Sequence, residues 1–144
     1  MSTSKIVLAQ IGCGYWGPNL VRNFSALPDA HVKYVVDSSA ERRAFVEANF
    51  PKTKAVEDAR VVFADPEVTA VVIATPAGTH FEVACEALTA GKHIFVEKPL
   101  ATRVAEVMTL TSDPAPAVPV RDVPIGASHA GGRRSGERGT SEEP

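Results

Sequence analysis

The pattern Gly12-x-Gly14-x-x-Gly17 is the most constraining feature of this sequence. It interrupts a short apolar run, Ile6 to Ile11, and is followed by a helical pattern that is established by Leu20. Each glycine answers a separate need. Gly12 allows a tight turn off the strand. Gly14 leaves room for a diphosphate to approach the backbone, and Gly17 lets the new helix pack against the strand. The first N–H groups of that helix lack intrahelical partners and carry the positive end of its dipole, so an anion satisfies them. Pro18 fits the first turn, where its missing N–H costs nothing.

A glycine pattern alone marks many strand-to-helix turns, and the surrounding residues narrow the choice. Val32 to Val36 reads as a second strand, closed by Asp37, which lies 20 residues after Gly17. That is the spacing at which a carboxylate takes the adenine-ribose hydroxyls of a dinucleotide. Arg42 and Arg43 offer a phosphate contact for NADP, or a solvated helix face. Asp37 repels the extra phosphate, so NAD is favoured and NADP is the alternative. Cys13, Tyr15 and Trp16 share the loop with the glycines; for Tyr15 and Trp16, packing under the loop is preferred to contact with a ligand.

The remaining chain alternates apolar runs with helical patterns. Helices are expected at Tyr15 to Ala26, with Leu20, Val21, Phe24 and Leu27 on one face, and at Ser39 to Asn49, with Ala44, Phe45 and Ala48 toward the sheet. Ser38 and Glu41 form a candidate capping box for the second. Lys54 to Val56 reads as a brief strand, and Glu57 to Ala64 as a helix burying Val61, Val62 and Phe63. Ala70 to Ala74 is almost wholly apolar and reads as a central strand. Thr75-Pro76 leaves its C-terminal end, Thr79 is a candidate cap for a helix to Ala90, and Gly91 is expected to end that helix. His93 to Val96 is the next strand, Glu97-Lys98-Pro99 leaves its end, and a helix is expected from Ala101 to about Met108. Strands alternating with helices predict an α/β fold, a Rossmann-type doubly wound parallel sheet. Loops at strand C-termini are where ligands sit in such sheets.

Composition excludes several function classes. The 144 residues carry a net charge of −2, which points away from nucleic acid and from anionic membrane surfaces. No apolar run of about 18 residues is present, and the first residues do not read as a secretory leader, so the cytoplasm is expected. Cys13 and Cys85 form no metal-type cluster and are expected as small buried groups; no metal site is expected.

Three stretches together resemble the N-terminal half of a Gfo/Idh/MocA-type oxidoreductase: Gly12-Cys-Gly-Tyr-Trp-Gly17, Ala70-Val-Val-Ile-Ala-Thr-Pro76 with His80, and Gly91-Lys-His-Ile-Phe-Val-Glu-Lys-Pro99. The resemblance covers about residues 5 to 107. It implies NAD(P)-dependent oxidation or reduction of a sugar, polyol or sugar-nucleotide hydroxyl, a small sugar-like substrate, and Lys98 near nicotinamide and substrate; a nucleotide-binding module without turnover, or an inactive fragment, is the alternative. A lysine in a partly dry site can help manage a hydroxyl proton, and Glu97 can pair with it or orient it. A surface lysine beside a proline turn is the competing reading. His80 divides between helix-start packing or capping and a place in the cofactor pocket with Thr75, Pro76 and Glu97.

The last 36 residues, Thr109 to Pro144, hold five of the ten glycines and five of the eleven prolines. No hydrophobic period survives there, and His129 has no clustered partner. The expected organisation is a dinucleotide-binding domain over 1–108 and a low-order tail over 109–144. The resemblance implies a second, substrate-binding domain, so the tail reads as a truncation or reading-frame artefact of a longer gene, with a natural tail as the alternative. A sheet edge left open by a missing half permits a homo-oligomer.

Overall fold

The computed structural model describes residues 5–112. Its centre is a five-stranded sheet, every pairing parallel, in the order β3-β2-β1-β4-β5. The strands are β1 (Ile6–Ile11), β2 (Ala30–Val36), β3 (Lys54–Val56), β4 (Ala70–Ile73) and β5 (His93–Val96). Helices α1 (Gly17–Ser25), α2 (Ala40–Asn49), α3 (Arg60–Ala64), α4 (His80–Thr89) and α5 (Val104–Ser112) connect and follow them, with a short 3-10 turn at Ala77–Thr79.

Side-chain alternation along the strands divides the core in two. Ala9 and Ile11 of β1 join Val71, Ile73, Ile94 and Val96 under α3, α4 and α5, whose Val62, Ala84, Ala87 and Leu110 are buried there. Leu8 points the other way and packs with Val21 of α1 and Val46 of α2. Helices therefore cover both faces, which is why the strands are apolar along most of their length. Pairing between β1 and β2 skips Lys33 where Leu8 faces Val32 and Ala9 faces Tyr34. That extra residue changes the parity of β2, so Val32 and Val35 share one face while Tyr34 and Val36 share the other.

Several local expectations are corrected. Helix α1 begins at Gly17 rather than Tyr15, and Leu27 is exposed beyond its end. On α2 the inward residue is Val46, while Ala44, Phe45 and Ala48 are exposed. Its cap is Ser39, whose Oγ accepts the Arg42 N–H at 3.4 Å, in place of the Ser38–Glu41 box. The register moves by one because Asp37 Oδ1 already accepts the Ser39 N–H at 2.8 Å. Helix α3 starts only at Arg60, after Asp58 Oδ1 accepts its N–H, and Val61 is exposed. Cys13 is buried as expected; Cys85 is only half-buried.

The end of α4 follows the sequence expectation. Gly91 takes φ +73°, its N–H reaches Leu88 O and the Lys92 N–H reaches Ala87 O, the two bonds of a Schellman cap. Helix α5, expected to end near Met108, continues to Ser112 and buries Leu110 in the core. The low-order reading of 113–144, with His129, lies outside the described residues. No helix among the described residues is long and apolar enough to cross a membrane.

Candidate dinucleotide site

The strand order reverses direction between β1 and β4. The connection from β1 goes to one side of the sheet and β4 begins the other, so the loops leaving these two strands diverge and open a crevice. A groove of about 700 Å³ lies there, at the C-terminal ends of the strands. Gly12, Gly14, Trp16 and Gly17 line it from the first loop, Asp37, Ser39 and Arg42 from the second. Thr75 and Pro76 after β4, and Glu97 after β5, complete it.

Each glycine of the first loop has a distinct surrounding. Gly12 sits at φ +92°, and a Cβ there would lie 2.6 Å from the carbonyl oxygen of Ala74, so the two loops touch backbone to backbone. A Cβ on Gly17 would meet Gln10, the Gly12 carbonyl and the Cys13 sulfur at 3.1 to 3.3 Å. Gly14 is different: beyond its chain neighbours, nothing of the protein lies within 4 Å of a Cβ built there. The space beside Gly14 is open to the groove, and it is followed within three residues by the N-terminus of α1. That combination fits a diphosphate.

Gln10 supports the loop from below, a role that the strand reading passed over. It is 1% exposed, and its Nε2 donates to Gly12 O at 2.9 Å and Gly17 O at 3.0 Å, spanning the loop from beneath. Its Oε1 is buried without a partner. The signal in the sequence was one polar residue inside an otherwise apolar strand.

Asp37 holds the loop from the side. Its Oδ2 accepts the Cys13 N–H at 2.8 Å while Oδ1 takes the Ser39 N–H. The structure separates the two arginines. Arg43 is committed: its Nη1 donates to the carbonyls of Asp37 and Ser38, both at 2.9 Å, and it faces Glu57 at 3.7 Å. Arg42 alone of the pair lines the groove. Burial pushes the Cys13 thiol up, and the Asp37 charge adds to this, against a smaller opposing effect of Arg42. Tyr15 does not pack under the loop; it is 91% exposed at the rim of the groove, whereas Trp16 is half-buried on its wall.

The far end is built by the loops after β4 and β5. The Thr79 hydroxyl donates to Pro76 O at 2.8 Å and lies 2.7 Å from Thr75 Oγ1, so it ties the loop together and does not cap α4. Glu97 reaches the groove half-buried; burial pushes its carboxyl up, and His80 opposes this. Lys98 is exposed and stands outside the lining. The ring of His80 is buried and does not face the groove. No group of three or more metal-ligating side chains is found among the described residues.

Comparison with known proteins agrees with this fold. Residues 6–113 match the Gfo/Idh/MocA family, described as an oxidoreductase family with an NAD-binding Rossmann fold. An inositol 2-dehydrogenase of Mycolicibacterium gilvum is 38% identical over 99 residues, 68% of this chain and 28% of that protein. Among solved structures, an NAD-binding protein from Listeria innocua superposes with a TM-score of 0.70 at 35% identity, over 75% of this chain and 32% of the other. GenD2 from gentamicin A biosynthesis, solved in complex with NAD, gives 0.71 at 28% identity, over 75% and 31%. The chain thus spans about a third of the length of the proteins it matches.

Proposed function

Because the chain belongs to the Gfo/Idh/MocA oxidoreductase family, as its NAD-binding Rossmann domain, we propose that it serves an enzyme acting on a hydroxyl of a sugar, polyol or sugar nucleotide. The observation that carries the reading is the open flank of Gly14 facing the groove, with the Asp37 carboxylate at its side. The nicotinamide, when bound, supplies the hydride chemistry. The chain's residues divide the remaining work. Amides at the start of α1 meet the diphosphate. Asp37 keeps further lone pairs for ribose hydroxyls beyond the two N–H groups it holds, which favours NAD; Arg42 is the group through which NADP would be accepted. The loops of Thr75-Pro76 and Glu97 border the nicotinamide end. Lys98 we place at the substrate hydroxyl, where an amine can hold and release the proton that accompanies hydride movement.

The cytoplasm is the compartment this reading implies, and β5, an outer strand of the sheet among the described residues, is an edge on which copies of the chain can associate. A second reading, a module that holds a nucleotide without turnover, is favoured by one observation: Lys98 is exposed and outside the groove lining. The test is a fluorescence titration with NADH, then a panel of inositols, sugars and UDP-sugars with NAD and NADP, followed by absorbance of the reduced cofactor. Saturable NADH binding supports both readings, and turnover that disappears in Lys98→Ala supports the first. A folded chain that does not bind NADH overturns both.

A further inference from the structure

His80 opens α4 and is 1% exposed. Its Nε2 lies 2.7 Å from the carbonyl oxygen of Thr75, in the loop after β4, and its Nδ1 lies 2.6 Å from that of Pro99, in the loop after β5. A carbonyl oxygen only accepts, so each contact is a hydrogen bond only if the ring nitrogen in it carries a proton. A neutral imidazole has one N–H and satisfies one of the two; the imidazolium has two and satisfies both. A buried cation needs an opposing charge. Glu97, two residues before Pro99, is the acid that would oppose it; its Oε1 is buried with no hydrogen-bond partner.

We propose that His80 is a positioning residue, a doubly protonated clamp that fixes the Thr75-Pro76 loop against the Glu97-Lys98-Pro99 loop and so sets the nicotinamide end of the groove. The clamp rests on the dinucleotide reading above. Its ring reaches the site only through two backbone carbonyls. One of these, Thr75 O, is two bonds from the Thr75 Cα, whose residue lines the groove; the other belongs to the residue after Lys98. The clamp lies remote from the adenosine end, where Asp37 and Ser39 are held by their own hydrogen bonds.

Two measurements test this on the full chain. Nitrogen NMR of the labelled protein at neutral pH reads the ring directly. The clamp requires protons on both ring nitrogens, with couplings across the hydrogen bonds to the Thr75 and Pro99 carbonyls; one bare nitrogen overturns it, whatever the protein binds. The second is calorimetric titration of wild type and His80→Gln with NADH and with ADP-ribose, which lacks the nicotinamide. Glutamine carries both of its N–H groups on one nitrogen, so it does not reproduce donation from two separate ring nitrogens. The expected result is an NADH Kd raised about tenfold, with ADP-ribose held within about twofold. Equal weakening of both ligands, or of neither, overturns the positioning role. A wild-type chain that binds neither ligand overturns the dinucleotide reading and the positioning role with it, an outcome distinct from failure of the clamp alone, in which wild type binds both.

Discussion

Asp37 and Cys13, 24 residues apart in the chain, are joined by a 2.8 Å hydrogen bond from the Cys13 amide to the Asp37 carboxylate. The acid that follows β2 therefore shapes the glycine loop that follows β1, besides lining the groove. Replacing it has two effects. In Asp37→Ser the gap between NADH and NADPH affinity should narrow, because the repulsion of a 2′-phosphate is removed. NADH binding itself should weaken, because a part-buried amide loses its charged acceptor, a loss on the order of 1–3 kcal/mol. Paired titrations of both cofactors check this. A wild-type preference for NADPH would reverse the assignment and promote Arg42.

Gly14→Val should fold normally and bind NADH at least tenfold more weakly. Beyond its chain neighbours no protein atom lies within 4 Å of the added Cβ, so the new side chain enters only the open groove, where the proposed reading puts the diphosphate. Thermal melting and NADH titration together separate this from unfolding. The control is Gly12→Ala, whose Cβ would lie 2.6 Å from Ala74 O at a positive φ and which should lower the melting temperature.

Asp65 links stability to acid. Its Oδ2 accepts from Lys33 at 2.6 Å and from the Tyr34 hydroxyl at 2.9 Å, and Glu67 is a second partner of Lys33. The Lys33 bond, then the Glu67 backbone N–H, hold its pKa at about 2. This lies below the unfolded-state value of about 3.9. The stabilisation is therefore complete above that unfolded value and is lost as pH falls through about 2. Carboxyl NMR should find Asp65 titrating near 2, and Lys33→Ala should move it upward and shift acid unfolding to higher pH. An unchanged Asp65 titration in that variant would count against the pairing.

Leu110→Ala should cost about 2–5 kcal/mol, the usual cost of a large-to-small change in a packed core. Leu110 is 6% exposed and joins the cluster under α4 and α5. Urea unfolding of the two full-length proteins measures it. A loss below about 0.5 kcal/mol would mean that α5 does not dock as described.

How legible this was depends on whether a residue's role is local. Strand and helix identities were readable because parallel strands covered on both faces must be apolar and the breaks between them fall at Gly, Pro and Asp. The Gly91 cap was readable because two adjacent backbone bonds define it. Which α2 residues face inward was not, because the helix buries a single residue, Val46, directly beside the exposed Phe45, and so carries no apolar stripe to read. The burial of Leu110 was also hidden, because threonines surround it and its partners lie on α4 and the sheet. That the glycines, Asp37 and the loops after β4 and β5 meet at one groove was legible, the first two from spacing and the loops from the strand ends they leave. Gln10 and the commitment of Arg43 to two carbonyls were not, since both depend on backbone atoms that become neighbours only on folding.

The residue that β2 carries in excess over β1 sends Lys33 to Asp65, whose backbone carbonyl also receives the Lys92 ammonium at 2.6 Å. Three chain segments are thereby laced at the end of the sheet opposite the groove. The molecule has a ballast end and a working end. Substitutions in the lacing are therefore expected to move the melting temperature and leave the groove alone, whereas Gly12 and Asp37 answer to both ends at once.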